Sequence, residues 1–152
     1  MNDTACDQAI TQMQYIEDLL GALNMDWDLY SELQDYDESD FDADELRTLE
    51  ELTEQAAGCS DADEALERLE ENPLEIQYRS GWESDTSDLT PHEFSILLCT
   101  GGPAVRIRGE LDHNGYPSRA RIEYQDWGTP WSELPLYQST ALEYAQLLIQ
   151  GY

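Results

Sequence analysis

Four carboxylates in the first half of the chain have a spacing that could bind calcium. Positions 1, 3, 5 and 12 of the twelve-residue EF-hand template are occupied by Asp40, Asp42, Asp44 and Glu51. The template requires glycine at position 6 for a sharp turn, and Glu45 stands there instead. Acids in the first turn of a helix, which the helix dipole favours, explain the same residues. We therefore expect no metal and no other cofactor.

Residues suited to catalysis are few and poorly spaced. His92 and His113 are the only histidines, and neither has a nearby cysteine or serine at a spacing typical of nucleophilic catalysis. Cys6, Cys59 and Cys99 form no C-x-x-C pair and no disulfide framework, as expected for a protein in a reducing compartment. The chain has so many carboxylates that accidental acid pairs carry no information. The sequence therefore predicts a protein that is not an enzyme.

The net charge is extreme and unevenly distributed. The 152 residues include 34 acids and seven arginines, with no lysine, for a net charge of −27. Residues 1–89 carry −24 of that charge and residues 90–152 only −3. Such a surface attracts basic proteins and repels nucleic acids and anionic membranes. Because affinity for phosphate depends on lysine and arginine, we expect no direct binding to nucleic acid.

The compartment is predicted from what the sequence lacks. Asp3 and Asp7 stand where a secretion signal needs positive charge, and no apolar run approaches the length of a transmembrane helix. We expect a cytoplasmic protein with no membrane contact.

The acids are densest in the segment 26–45, which has ten carboxylates and no basic side chain. Helical neighbours at i, i+3 and i+4 lie about 5–6 Å apart at Cβ, close to the spacing of successive phosphates on a nucleic-acid strand. Such an array can occupy the basic groove of a DNA-binding protein. The candidate partner-binding residues are Asp26, Asp28, Glu32, Asp35, Asp37, Glu38, Asp40, Asp42, Asp44 and Glu45.

Aromatic residues alternate with these acids. Trp27, Tyr30, Tyr36 and Phe41 can either hold the acidic helices to a core or serve as anchors for a partner. The sequence leaves both alternatives open.

The elements that must position these residues are helices in the first half of the chain. Apolar residues recur at helical spacing from 4 to 23 and from about 26 to 36. A third helix is predicted after a cap at Ser39 or Asp40 and ends at Gly58, and a fourth runs from Ser60 to Asn72.

In the second half of the chain, the spacing of apolar residues changes from helical to alternating. Residues 74–79 alternate as a strand, and Thr90-Pro91 followed by Glu93 predicts a short helix. Asn114-Gly115 predicts a hairpin over about 104–127, with Arg106, Arg108, Arg119 and Arg121 on its polar face near Glu110 and Glu123. A last helix is expected over about 139–150.

These elements predict the α+β class, with acidic N-terminal helices followed by a small antiparallel sheet and packed helices. We expect a single domain over 1–152, with an acidic helical part over about 1–73. A strand, helix, hairpin and helix follow over about 74–152. For the turn Trp127–Trp131, we expect both tryptophans to pack on the sheet, the alternative being an exposed recognition loop.

One segment resembles known proteins. GGPAVRIRGELD and the following SRARIEYQDWGTPWSEL, together about residues 99–137, are similar to a segment of short uncharacterised phage and prophage proteins. Its most distinctive part is Tyr124 to Trp131. The resemblance implies an origin in a mobile element but no mechanism. The overall acidic character resembles that of DNA-mimicking anti-CRISPR and anti-restriction inhibitors.

These observations lead to a functional hypothesis. The chain is interpreted as an inhibitor of a host defence system that occupies a basic groove in a CRISPR effector complex or a restriction enzyme. Three alternatives stay open: a salt-adapted protein, a calcium-binding protein, or an acidic adaptor that binds a basic host protein without imitating DNA.

Overall fold

The computed structural model describes residues 4–151, which contain five α-helices and five β-strands. The predicted α+β class is confirmed. The helices are α1 (Thr4–Leu23), α2 (Trp27–Gln34), α3 (Ala43–Gln55), α4 (Ala62–Glu71) and α5 (Gln138–Leu148). The strands are β1 (Glu75–Ser80), β2 (Pro91–Cys99), β3 (Ala104–Leu111), β4 (Pro117–Gln125) and β5 (Ser132–Leu134).

The chain forms two compact units. Tyr15–Glu70 makes up one, which we call the acidic unit. Of the described residues, 4–14 and 71–151 make up the other, the sheet unit. Helix α1 contributes its first part to the sheet unit and the rest to the acidic unit. The single domain expected over 1–152 stays a prediction.

The five strands form one antiparallel sheet in the order β1-β2-β3-β4-β5, so each strand pairs with its neighbours in sequence. The predicted hairpin is confirmed as β3 and β4. Its turn closes with a hydrogen bond from Gly115 N to Asp112 O at 3.0 Å, and Gly115 has a φ of 81°. This is a type I turn followed by a left-handed residue, a position that glycine occupies without strain.

Period-two alternation divides the sheet into an apolar and a polar face. Phe94, Ile96, Ile107 and Ile122 are almost fully buried on the first face. Helix α5 packs on β4 and buries Ala141, Tyr144 and Ala145. The intervening positions of β3 and β4 include arginines and glutamates, and their side chains lie on the other face. The register pairs Arg106 with Glu123 and Glu110 with Arg119.

Gly109 allows β2 and β4 to approach closely on either side of β3. It pairs with Phe94 on one side and Ala120 on the other. A Cβ atom at this position would overlap the Arg119 carbonyl oxygen and lie 2.6 Å from Phe94 Cζ. The Phe94 ring therefore covers a site that only glycine fits.

The acidic unit has its own small core. Met25, Leu33, Leu52 and Ala56 are buried together. Partly buried side chains surround them: Trp27, Leu29, Tyr30, Phe41 and Leu49. The amphipathic faces of α2 and α3 supply most of this core, which explains why so acidic a segment stays folded.

The short helix predicted after Thr90-Pro91 is wrong, because residues 91–99 form strand β2. Pro91 starts the strand, and Phe94, Ile96 and Leu98 alternate inward with Glu93, Ser95 and Leu97 between them. Proline at a first position and an acid two residues later suit a strand as well as a helix start. Pairing with β1 and β3 on both sides decides the outcome.

The cap predicted for the third helix is also displaced. The structure places it at Asp42 rather than Ser39 or Asp40, which lie in a single 3₁₀ turn over Glu38–Asp40. The fourth helix ends before Asn72-Pro73 as predicted, and β1 starts within one residue of the predicted strand.

Candidate partner-binding surface

Helix α2 begins at an aspartate and an indole that fix its first turn. The Asp26 Oδ1 atom accepts a hydrogen bond from Leu29 N at 3.0 Å, which caps the helix. Trp27 Nε1 donates to Ala22 O at 2.8 Å, and the Trp27 ring contacts Tyr30 edge-on at 5.8 Å. These contacts attach α2 to the end of α1 and turn Asp28 and Glu32 outward.

Helix α3 begins with a reciprocal capping box. Asp42 Oδ1 accepts a hydrogen bond from Glu45 N at 2.8 Å, and Glu45 Oε1 accepts one from Asp42 N at 3.4 Å. In the preceding turn, Asp37 Oδ1 accepts from Ser39 N at 3.1 Å, and this bond lowers the pKa of the Asp37 carboxyl. Together with Asp26, four of the candidate acids thus accept hydrogen bonds that hold the local fold.

The structure places all ten candidate acids in one continuous stretch of the acidic unit, from the cap of α2 to the first turn of α3. Nine of them have described side chains, and all nine are exposed. Only the backbone of Glu38 is described. Asp28, Glu32, Asp35 and Asp40 make no side-chain hydrogen bond or ion pair with the described residues, so their charges face solvent.

Charge neutralisation within the acidic unit is local. The unit contains 20 acids and two arginines, a net charge of −18. Arg47 pairs with Asp44 one helical turn away, and Arg68 pairs with Glu64 at 2.6 Å. Each pair lies within a single helix, α3 or α4, so the two arginines leave most of the unit's negative charge unneutralised.

A groove between α2 and α3 adds apolar surface to this negative field. The groove has a volume of about 660 Å³, and its lining combines the acids Glu50 and Glu54 with apolar and aromatic residues: Tyr30, Leu33, Tyr36, Leu46 and Leu49. Tyr36 is 57% exposed and Leu46 37% exposed. The sequence analysis did not identify this groove, because the i, i+3 spacing of Leu46 and Leu49 predicts only that they share a face of α3.

The aromatic residues divide between the two roles left open by the sequence. Trp27, Tyr30 and Phe41 pack against the core of the acidic unit, and the Phe41 ring contacts Tyr36 at 6.4 Å. Tyr36 itself stays exposed at the groove. Three aromatics therefore hold the helices, and the fourth, Tyr36, is exposed at the groove.

Arginines on the polar face of the sheet are balanced by carboxylates. Arg106 Nε donates to Glu123 Oε1 at 2.8 Å, and Arg79 Nε donates to Glu93 Oε2 at 2.6 Å, which lowers the Glu93 pKa. Every arginine of the described sheet has a carboxylate oxygen within 4.0 Å. These guanidinium groups are therefore engaged in ion pairs, in agreement with the sequence-based interpretation of the hairpin.

The turn after the hairpin separates its two tryptophans. Trp131 lies over the Arg106 guanidinium, 3.7 Å from ring centroid to Cζ. Trp127 is 82% exposed, so the expectation that both rings pack on the sheet is wrong for Trp127. Only Trp131 has the cation–π contact that holds a ring to the polar face.

The calcium-loop template does not fit the backbone. Template positions from Ala43 onward are helical in α3, so Asp44 and Glu51 project from a helix rather than converge on a loop. Among the described residues, no group of three or more histidine, cysteine, aspartate or glutamate side chains is arranged to hold a metal ion. No helix within residues 4–151 is long and apolar enough to cross a bilayer.

No family model, curated protein or solved structure matches the chain. The residues themselves must therefore carry any functional argument.

Proposed function

We propose that the protein inhibits a nucleic-acid-binding defence system of a bacterial host, either a CRISPR effector or a restriction enzyme. In this proposal the acidic unit imitates the charge of a nucleic-acid backbone and occupies a basic groove. No chemistry is needed, because occupancy excludes the nucleic acid. The protein then acts in the host cytoplasm as a product of a phage or other mobile element.

The observation that carries the proposal is the concentration of exposed carboxylates between the cap of α2 and the first turn of α3. Four of them, Asp28, Glu32, Asp35 and Asp40, have no side-chain hydrogen bond or ion pair with the described residues. A helical row spaces its acids at about 5–6 Å, and each duplex offers one negative charge per roughly 1.7 Å of axis. The acids of one helix therefore resemble the phosphates along a single strand in spacing, at a lower charge density than a whole duplex offers, and a cleft shaped for a row of phosphates would meet a similar row here. Ordinary solubility requires a net charge of only about 2–8 in magnitude, far below the −18 of this unit.

The folded state of the acidic unit also supports the proposal. Its helices are capped and share a core, so the acids are held in place before a partner binds. A preorganised charge array loses less conformational entropy on binding than a disordered acidic tail does.

The proposal is tested by measuring partner binding with matched charge variants. In the surface variant, Asp28, Asp35 and Asp40 become Asn and Glu32 becomes Gln; none of these side chains caps a helix or forms an ion pair in the described structure. The control variant changes Asp18, Asp63, Glu67 and Glu70 in the same way, removing four charges from α1 and α4 of the same unit. Both variants should fold, because exposed substitutions of this kind change stability by about 0.5 kcal/mol or less.

We expect the surface variant to lose most of its affinity for a captured basic partner and the control to keep its affinity. Capture from bacterial lysate is performed at low and high salt, since screening weakens exposed charge pairs. Equal loss in both variants would mean that total charge, not this surface, matters. If DNA does not compete for the captured partner, the protein is an acidic adaptor rather than a mimic.

A further inference from the structure

Strand β1 lies at one edge of the five-stranded sheet. It pairs with β2 on one side only. Four of its six residues are exposed, including Tyr78 at 52%. An edge strand of this length presents unpaired backbone N–H and C=O groups and can pair with another strand.

The side chains of β1 are self-complementary about Gln77. The strand reads Glu75-Ile76-Gln77-Tyr78-Arg79, with an acid and a base at equal distances from the central glutamine. Antiparallel pairing of two copies with Gln77 facing Gln77 places Glu75 opposite Arg79 of the second copy, twice by symmetry. On the other face it places Ile76 opposite Tyr78. Shifting the axis to Ile76 or Tyr78 loses both ion pairs.

We propose that two copies of this chain associate through β1, antiparallel and centred on Gln77, to form one continuous ten-stranded sheet. A two-fold axis normal to the sheet keeps the polar faces on one side and the apolar faces on the other. The interface is isologous, as in most homodimers, so it closes after two copies.

Local charge complementarity along β1 favours a second copy as the occupant and acts against the overall repulsion between two chains of net charge −27. Opposite charges directly across an antiparallel pair are favourable, and each such pair contributes about 0.2–1 kcal/mol. The apolar Ile76–Tyr78 pairs add buried area beside them. Since six residues a side form a small interface, below about 1,200 Å² in total, the dimer should be weak and dependent on concentration.

Sedimentation velocity between about 10 µM and about 1 mM tests the association for the wild-type protein. We expect the weight-average mass to rise from that of one chain toward that of two. A mass of one chain throughout this range overturns the proposal.

Two charge variants test the register. Glu75→Arg places arginine opposite arginine, and Arg79→Glu places glutamate opposite glutamate, so each variant alone should dimerise at least about fivefold more weakly. An equimolar mixture should recover the wild-type affinity, because the arginine variant and the glutamate variant then complement each other. Variants that associate as well as wild type, or a mixture that does not recover, contradict the register.

A crosslink keeps the proposal testable if the Arg79→Glu variant fails to fold after losing its Glu93 contact. Gln77→Cys places two identical thiols across the axis, where a disulfide can form under mild oxidation. Glu75→Cys is the control, because its two copies are offset by four residues, about 13 Å along the strands. Wild type controls for Cys6, Cys59 and Cys99. Equal crosslinking of the two variants contradicts the axis at Gln77.

Discussion

Asp42 and Glu45 each accept a hydrogen bond from the backbone of the other, at 2.8 and 3.4 Å. Both also belong to the candidate partner-binding surface and are exposed. The same carboxylates thus hold the first turn of α3 and contribute negative charge to solvent. At Asp42 the charge can be removed without removing the cap, because asparagine caps a helix and alanine does not.

Asp42→Ala is expected to reduce the unfolding free energy of the acidic unit by about 1 kcal/mol, because the side chain that accepts from Glu45 N is lost. Asp42→Asn should retain stability, since asparagine caps helices as well as aspartate does. Chemical denaturation followed by circular dichroism measures both. If the two variants are equally unstable, loss of negative charge at the helix start, rather than loss of the cap, is the cause.

The acid dependence of stability should include a contribution from Glu64. Hydrogen bonds from the Ser60 hydroxyl at 2.5 Å and the Ser60 backbone N–H at 2.9 Å lower the Glu64 pKa, with the Arg68 guanidinium adding to the effect. A lowered pKa in the folded state stabilises the protein above the pKa of the unfolded chain. This contribution is lost as the pH falls through the folded-state value.

Glu64→Gln should therefore destabilise the protein at neutral pH and approach wild type in acid. Thermal melts from neutral to acidic pH measure the difference. Glu67→Gln is the control, because Glu67 is exposed on the same helix. A Glu64→Gln deficit that persists unchanged in acid would assign the effect to packing rather than ionisation.

Gly109→Ala should destabilise the sheet unit by about 3 kcal/mol, because the added methyl group overlaps the Arg119 carbonyl and the Phe94 ring. Gly81→Ala is the matched control, since a Cβ there has no neighbour within 4 Å. Thermal unfolding separates the two. A Gly109→Ala variant as stable as the control would mean that the three strands lie farther apart than described.

Leu46→Gln tests whether the groove between α2 and α3 anchors the proposed basic partner. Leu46 is partly exposed at the groove, so we expect its replacement to weaken partner binding about tenfold with little loss of stability. Leu136→Gln is the control, since Leu136 is 53% exposed outside the groove. Titration calorimetry with the captured partner measures both affinities. Unchanged binding would mean that Leu46 does not contact the partner.

Long, strongly periodic segments could be predicted from the sequence. Helix α1 has the predicted bounds, and the hairpin forms around Asn114-Gly115, because each is specified by local pattern and turn chemistry. The solvent exposure of the acidic residues could also be predicted, since carboxylates are rarely buried without partners.

Features that depend on tertiary contacts could not be predicted. Thr90-Pro91 starts a helix or a strand equally well, and only the neighbours β1 and β3 select the strand. The cap of α3 is a different case: Asp42 and Glu45 have the local spacing of a capping box, so this signal was present in the sequence and was missed. The groove depends on how α2 lies against α3, which no single helix specifies.

The two units should tolerate inherited change very differently. Exposed carboxylates on capped helices can exchange Asp for Glu, or move by one turn, and still present the same field. Gly109 permits no such exchange, because any side chain collides with its neighbours. Diverging lineages are therefore expected to keep the negative charge of the acidic unit while its individual residues change. They should remain recognisable by the spacing of Phe94, Gly109 and Ala120 in the sheet unit.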